Sequence, residues 1–196
     1  MLEVKTTATT NPAGVAGASR DDQWVLRVDS MTKVYRDGVV ANDGISIDIQ
    51  AGEVYGLLDP NGAGKTTLVN QTIGLLKPTS SGITLDGYDL VADPEAACQL
   101  CSYLPQAEMP IDSLRLLEAI VLAGMIRGGD RTSVRRRADE LLGALDIEDW
   151  RDTAGMKLSG EVKRLAGFAM ATAWPGRLVI LDEPPNDIDP LRRRML

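Results

Sequence analysis

The segment Asp59-Pro60-Asn61-Gly62-Ala63-Gly64-Lys65-Thr66-Thr67 follows an apolar run, Val54 to Leu58, and precedes a helix-like stretch. Glycines at 62 and 64 allow a tight turn that aims successive backbone N–H groups at one point, and the helix start behind them adds partial positive charge. Such a loop cradles phosphate oxygens through Asn61, Gly62, Ala63, Gly64 and Thr67. Lys65 supplies a full charge for the β and γ phosphates, and the Thr66 hydroxyl is a hard oxygen ligand for Mg²⁺. The strict pattern has glycine where Asp59 stands, so the match is incomplete at one position. A second acidic group, Asp182 and Glu183, closes the apolar run Leu178 to Leu181. Four consecutive apolar residues read as a strand buried on both faces, and acids at the carboxyl end of such a strand stand where open α/β sheets bind ligands. Asp182 is the candidate Mg²⁺ ligand and Glu183 the candidate group that polarises an attacking water.

Other chemistries are excluded by composition. The 196 residues contain no histidine, which removes His-dependent triads and His-ligated metals. Cys98 and Cys101 form a single C-x-x-C without a second pair, so they read as small apolar residues near the start of a buried strand rather than as a zinc or redox site. With 21 basic against 28 acidic residues the net charge is −7, which disfavours non-specific binding to nucleic acid or anionic lipid. Any bound anion needs a local device such as the glycine loop. The Arg135-Arg136-Arg137 run reads as a solvated helix face, and Met125 and Met170 read as core. The longest apolar stretches, near Leu116 to Ile126 and Leu165 to Trp174, fall short of the ~18 to 20 residues that span a bilayer. Residues 1–23, rich in Thr, Ala and Gly, lack a basic start followed by an apolar stretch and read as a flexible tail on a cytoplasmic chain.

The elements that must position these groups follow from periodicity. Strand-like runs occur at Val25 to Val28, Ile45 to Ile49, Val54 to Leu58, Ile83 to Leu85, Tyr103 to Leu104 and Leu178 to Leu181. Helix-like stretches lie at Gly64 to Leu76 and Leu114 to Met125, and a third carries Val134, Ala138, Leu141, Leu142 and Leu145 on one stripe. Strands alternating with helices predict an α/β domain with a largely parallel sheet. The closely spaced early strands predict an antiparallel β element at the front, and the strandless stretch from about 108 to 157 a helical insertion.

Taken together, the motifs resemble the ATP-binding domains of ABC transporters. Beyond the phosphate loop and Asp182-Glu183, Tyr35 in Val34-Tyr35-Arg36 matches the aromatic that stacks on adenine; from the residues alone it also reads as a surface aromatic beside Asp37-Gly38. Ser81 to Gly87 is similar to the family's hairpin, Tyr103-Leu104-Pro105-Gln106 to its Q-loop, Leu158-Ser159-Gly160 to the start of its signature and Asn186 to Pro190 to its D-loop. The wording of Gly74 to Thr79 and Asn186 to Arg194 is most similar to drug and polysaccharide exporters. The resemblance implies a P-loop NTPase core over 24–196 with a parallel sheet, an N-terminal antiparallel element and a helical subdomain. It implies ATP and Mg²⁺ as ligands, with Lys65, Gln106 and Glu183 catalytic and Thr66, Gln106 and Asp182 around the metal. It implies a head-to-tail dimer in which Ser159 and Gly160 face the opposing subunit's nucleotide. Integral membrane transporter subunits would hold the chain at the inner face of the membrane, and nucleic acid is not an expected partner.

The sequence departs from this pattern in three main places, and Pro185 stands where the family usually has Thr or Ser, a smaller change. Glu161 stands where the signature has a second glycine, and Asp59 adds another negative charge beside the phosphates. Two unit charges ~6 Å apart interact by roughly 3 kcal/mol at an effective dielectric near 20. The family continues past the D-loop with further strand and a γ-phosphate histidine, so a sheet lacking its C-terminal strands is expected here. These departures define an alternative expectation, a truncated or degenerate nucleotide-binding module with little or no turnover.

Overall fold

The computed structural model describes residues 24–57, 64–107 and 109–182. The chain divides after Leu100 into two compact units.

The first unit is built on an antiparallel sheet. Strands β1 (Trp24–Val34) and β2 (Val40–Gln50) form a hairpin closed at Val34 and Val40. Tyr35 N–H donates to the Val39 carbonyl at 2.8 Å across its turn. β3 (Ser80–Leu85) pairs with the other edge of β1, and β4 (Tyr88–Asp89) with β3, giving the order β2-β1-β3-β4. The β3–β4 turn falls at Asp86 and Gly87, both at positive φ, as a two-residue hairpin turn requires. Alternation sets Val28, Ile83 and Leu85 inward, and the register shift after Val28, with Ser30 at positive φ, brings Met31 to the same face; all four are buried. Helix α1 (Lys65–Thr72) adds Leu68, and the short α2 (Ala96–Leu100) adds Ala97.

Two expectations for this unit are corrected. The apolar run from Val54 is not a strand: residues 53–57 carry no regular structure, and Val54 is 69% exposed. An apolar run becomes a strand only when a neighbouring backbone supplies its ladder bonds, and no described residue pairs with these. Helix α1 stops at Thr72 instead of Leu76. Gly74 takes φ 77, Gly74 N–H donates to the Gln71 carbonyl and Leu75 N–H to the Asn70 carbonyl, a left-handed termination that glycine adopts without steric cost.

The second unit carries the expected parallel pairing. β5 (Cys101–Leu104) and β6 (Leu178–Leu181) run in register from Cys101 opposite Leu178 to Leu104 opposite Leu181. β6 is not buried on both faces: Val179 and Leu181 are exposed, because β5 is its one ladder partner among the described residues. Helices α3 (Leu116–Ile126), α4 (Arg131–Ala144) and α5 (Gly160–Thr172) enclose one apolar core. It includes Leu116, Ile120, Val134, Leu142, Leu145, Leu165 and Ala169. The Asp130 carboxylate caps α4 by accepting from Ser133 N–H at 3.0 Å. Arg135, Arg136 and Arg137 are exposed, as expected of a solvated face, and Arg137 pairs with Glu140. Met170 is buried, but Met125 is exposed near the end of α3, outside the apolar stripe. Cys101 is buried at the start of β5, whereas Cys98 is exposed on α2; both are free thiols.

Helix α5 is held at both ends. Ser159 Oγ accepts from Val162 N–H at its start, and the Arg127 guanidinium donates to the Met170 and Trp174 carbonyls near its finish. Burial holds the Arg127 pKa below its usual value. No helix among the described residues is long and apolar enough to cross a membrane.

Candidate functional site

The candidate groups fall into two clusters, one in each unit. In the first, Gly64 is the residue before α1, at φ 95. A Cβ there would stand 2.3 Å from the Ala41 carbonyl oxygen and 2.5 Å from Asn42 Oδ1, so both backbone conformation and space demand glycine. Lys65 and Thr66 therefore open a helix whose first N–H groups are free of intrahelical partners by construction, with the Thr66 side of the turn exposed. Asn61, Gly62, Ala63 and Asp59 lie outside the described residues. Beneath the helix start, the amides of Asn42 and Gln71, both buried, meet at 2.9 Å. With both amides turned over, Gln71 Nε2 donates to Asn42. Asn42 Nδ2 then lies 2.9 Å from the Ala41 carbonyl and 3.3 Å from the Gly64 carbonyl, which gives the Asn42 amide partners for both its oxygen and its nitrogen.

Tyr35 lies in the same cluster. Its hydroxyl is hydrogen-bonded to that of Thr67 at 3.2 Å, and Lys33 Nζ stands 5.5 Å from the ring centroid while donating to the Lys77 carbonyl. The ring is pinned at its tip yet 40% exposed. An aromatic fixed beside the helix that begins with Lys65 offers a flat apolar face for a base, which a loose turn residue does not.

The second cluster surrounds β5 and β6. Asp182 follows β6, is half-buried, and donates its backbone N–H to the Leu104 carbonyl at 3.0 Å. Tyr103 Oη–H donates to Asp182 Oδ2 at 3.4 Å. Burial first, then the Asp182 charge and this hydrogen bond, raises the Tyr103 pKa; Arg164 opposes the rise. Gln106 is exposed in the bend after β5. Ser159 caps α5, Gly160 is its first residue, and Glu161 sits in the first turn, where a negative charge favours the helix. Glu183 and the segment Asn186 to Pro190 lie outside the described residues.

Two residues of this cluster have no role assigned from the sequence. Tyr103 was read as part of a motif without a role, because its reach to Asp182 depends on strand register. Arg164 had a signal: α5 is apolar almost all round, and a guanidinium inside such a helix must be satisfied. It is 8% exposed, and it donates to the carbonyls of Pro105 and Asp182, and to that of Gln106 at 3.5 Å.

The hard oxygen donors Thr66 and Asp182 suit Mg²⁺. No group of three or more His, Cys, Asp or Glu able to hold a metal occurs among the described residues.

Comparison with known proteins decides the family. A family model described as ABC transporter matches residues 42–186, most of the chain. The chain belongs to the ABC transporter ATP-binding family. It is 37% identical over 176 residues to the lipopolysaccharide export system ATP-binding protein LptB of Acidithiobacillus ferridurans, covering 85% of this chain and 70% of that protein. It is 31% identical to the daunorubicin/doxorubicin resistance ATP-binding protein DrrA of Streptomyces peucetius, covering 87% of this chain and 52% of that one. A solved ATP-binding subunit of an ABC transporter superposes with TM-score 0.81 at 27% identity, covering 87% of this chain and 71% of the other. The α/β fold of this chain, with its parallel pair and its N-terminal antiparallel sheet, is therefore that of the family.

Proposed function

We propose that this chain binds Mg-ATP and serves as the ATP-binding subunit of an exporter, coupling ATP hydrolysis to transport through separate integral membrane subunits at the inner face of the membrane. The observation that carries the reading is the start of α1. Gly64 in a left-handed conformation, Lys65 and Thr66 at the helix opening, and the Tyr35 hydroxyl tied to Thr67 assemble phosphate and base contacts on one frame. In this reading 24–196 is one nucleotide-binding domain with a helical subdomain over about 108–157. The chain acts as a head-to-tail dimer, with Ser159 and Gly160 of one copy facing the nucleotide of the other.

Each residue then has a physical task. Backbone N–H groups of 61–67 and the Lys65 ammonium hold the β and γ phosphates, and Tyr35 carries the adenine. Thr66 and Asp182 hold the metal, which when bound neutralises charge on the phosphates. Gln106 orients water, and Glu183 accepts its proton as the γ-phosphoryl leaves in line. Glu161 makes turnover slow, since it brings negative charge to the segment that closes on the γ-phosphate, where losing one stabilising contact typically costs 10² to 10³ in rate.

Titration with a fluorescent ATP analogue tests the core of this. Lys65→Ala should bind Mg-ATP at least ~10-fold more weakly, since a charge-assisted contact contributes about 1.5–3 kcal/mol; equal binding by the two proteins sinks the reading.

A further inference from the structure

Arg164 is the one buried arginine among the described residues, and a guanidinium stays charged at any ordinary pH. Taking that charge out of water costs several kcal/mol unless its donors are met. Here both terminal nitrogens meet backbone carbonyls. One terminal nitrogen, Nη1, faces the carbonyls of Pro105 and Gln106; the other, Nη2, faces the carbonyl of Asp182. The planar fork therefore spans the turn that carries Gln106 and the peptide link between Asp182 and Glu183. A small cavity of about 20 Å³, room for one water, lies against Gln106, Gly160, Lys163 and Arg164.

Arg164 also belongs to the helix that Ser159 caps. At 1.5 Å per residue it stands roughly 7 Å along the axis from that start, within a rigid rod. A movement of the signature end of α5 is thus carried by one side chain to the backbone of Gln106 and of Asp182 together. Neither carbonyl is the reacting group, so the residue acts through others.

We propose that Arg164 is a positioning residue that fixes Asp182 and Gln106 relative to the signature helix, and that it thereby sets the affinity for Mg²⁺ in the nucleotide complex. The proposal rests on the Mg-ATP reading above. Geometry makes arginine specific here: a lysine offers one point charge and can satisfy the carbonyls on one side of the fork, not both.

The test uses the full chain with Arg164→Lys and Arg164→Gln, and a fluorescent ATP analogue titrated in EDTA and then against Mg²⁺. Wild type must bind the analogue; if it does not, the Mg-ATP reading falls, independently of Arg164. In folded variants, binding in EDTA should stay within about twofold of wild type, because the phosphate loop is untouched. The Mg²⁺ concentration for half-maximal tightening should rise about tenfold, and lysine should not restore it. An unchanged Mg²⁺ midpoint in either folded variant overturns the proposal. Should both variants fail to fold, the unaltered chain decides: the Arg164 Nε–H NMR resonance should shift when Mg²⁺ is added to the ATP complex, and a resonance that does not move overturns the proposal equally.

Discussion

The two units hold their chemistry by opposite means. Around α1 the supports are neutral: a left-handed glycine, an amide pair between Asn42 and Gln71, and a hydroxyl pair between Tyr35 and Thr67. Around β6 the support is one buried charge, Arg164, which satisfies carbonyls from two segments, with Tyr103 adding a bond to the Asp182 carboxylate. Neutral supports depend on shape and can be exchanged for others of matching shape. A buried charge depends on every partner, because an uncompensated one costs about 3–5 kcal/mol. The phosphate-loop unit should therefore tolerate paired substitutions, and the acid-strand unit should not.

The largest effect should come from Gly64→Ala. The methyl meets the Ala41 carbonyl oxygen at 2.3 Å, and φ 95 is a conformation alanine resists. Loss of ~3 kcal/mol or more is expected from strain and clash combined. Thermal unfolding should show the loss, and ATP-analogue affinity should fall by at least ~100-fold because the turn must move. A variant that melts and binds like wild type would remove the shape argument from this unit.

Gln71→Leu should come next. It strands the Asn42 amide in a buried place, at a cost of about 1–3 kcal/mol. The double variant Asn42→Leu/Gln71→Leu removes both partners and should recover more than half of that loss. A coupling energy of ~1 kcal/mol or more in a double-mutant cycle by chemical denaturation supports the comparison. Strict additivity would mean that the two amides do not support each other.

How far the sequence carried this picture depends on whether a feature is local. The Gly64-Lys65-Thr66 helix start was readable because glycine at a required positive φ leaves a local mark, whereas the hairpin ending at Asp86-Gly87 was seen through its resemblance to the family. The single stripe of α4 was readable from its spacing alone. The run from Val54 was misread because apolar composition does not say whether a ladder partner exists. The reading of β6 as doubly buried fails for the same reason: burial is a property of neighbours, and Val179 has none covering its outer face among the described residues. The Tyr103–Asp182 bond needed the register of a parallel pair, which is set by residues 70 and more positions apart. Arg164 lay between these cases, since an arginine within a largely buried helix signals a buried partner but not which one.

A smaller effect should separate the two readings of Tyr35. Tyr35→Ala removes a stacking surface that contributes ~1 to 3 kcal/mol and should weaken ATP and GTP alike. Tyr35→Phe keeps the ring and loses only the bond to Thr67, so affinity should fall by less than about tenfold, in line with ~0.5–1.5 kcal/mol for one hydrogen bond. If alanine costs no more than phenylalanine, the ring does not carry the base, and Tyr35 is a turn aromatic.

The smallest effect is a pH dependence that sharpens the contrast from the acid-strand side. Burial, the nearby Asp182 carboxylate and the hydrogen bond to it all raise the Tyr103 pKa above 10.0, its ordinary value. A folded-state pKa above the unfolded one means that the neutral phenol is favoured by the fold. The contribution is therefore complete below pH 10 and is lost as pH rises through the folded value. Arg164 pulls the other way, so Arg164→Gln should push the Tyr103 titration higher still. Tyr103→Phe should flatten the decline in stability above pH 10 while leaving neutral-pH stability little changed, since the bond is long at 3.4 Å. Tyrosinate absorbance and NMR titration of the ring resonances would follow both. Tyr55, whose pKa is raised by burial and then by Glu53, provides a control in the other unit: its titration should not respond to Arg164→Gln. A Tyr103 titration equally indifferent to that substitution would show that the guanidinium does not share its field with Asp182, and the single-charge account of this unit would fail.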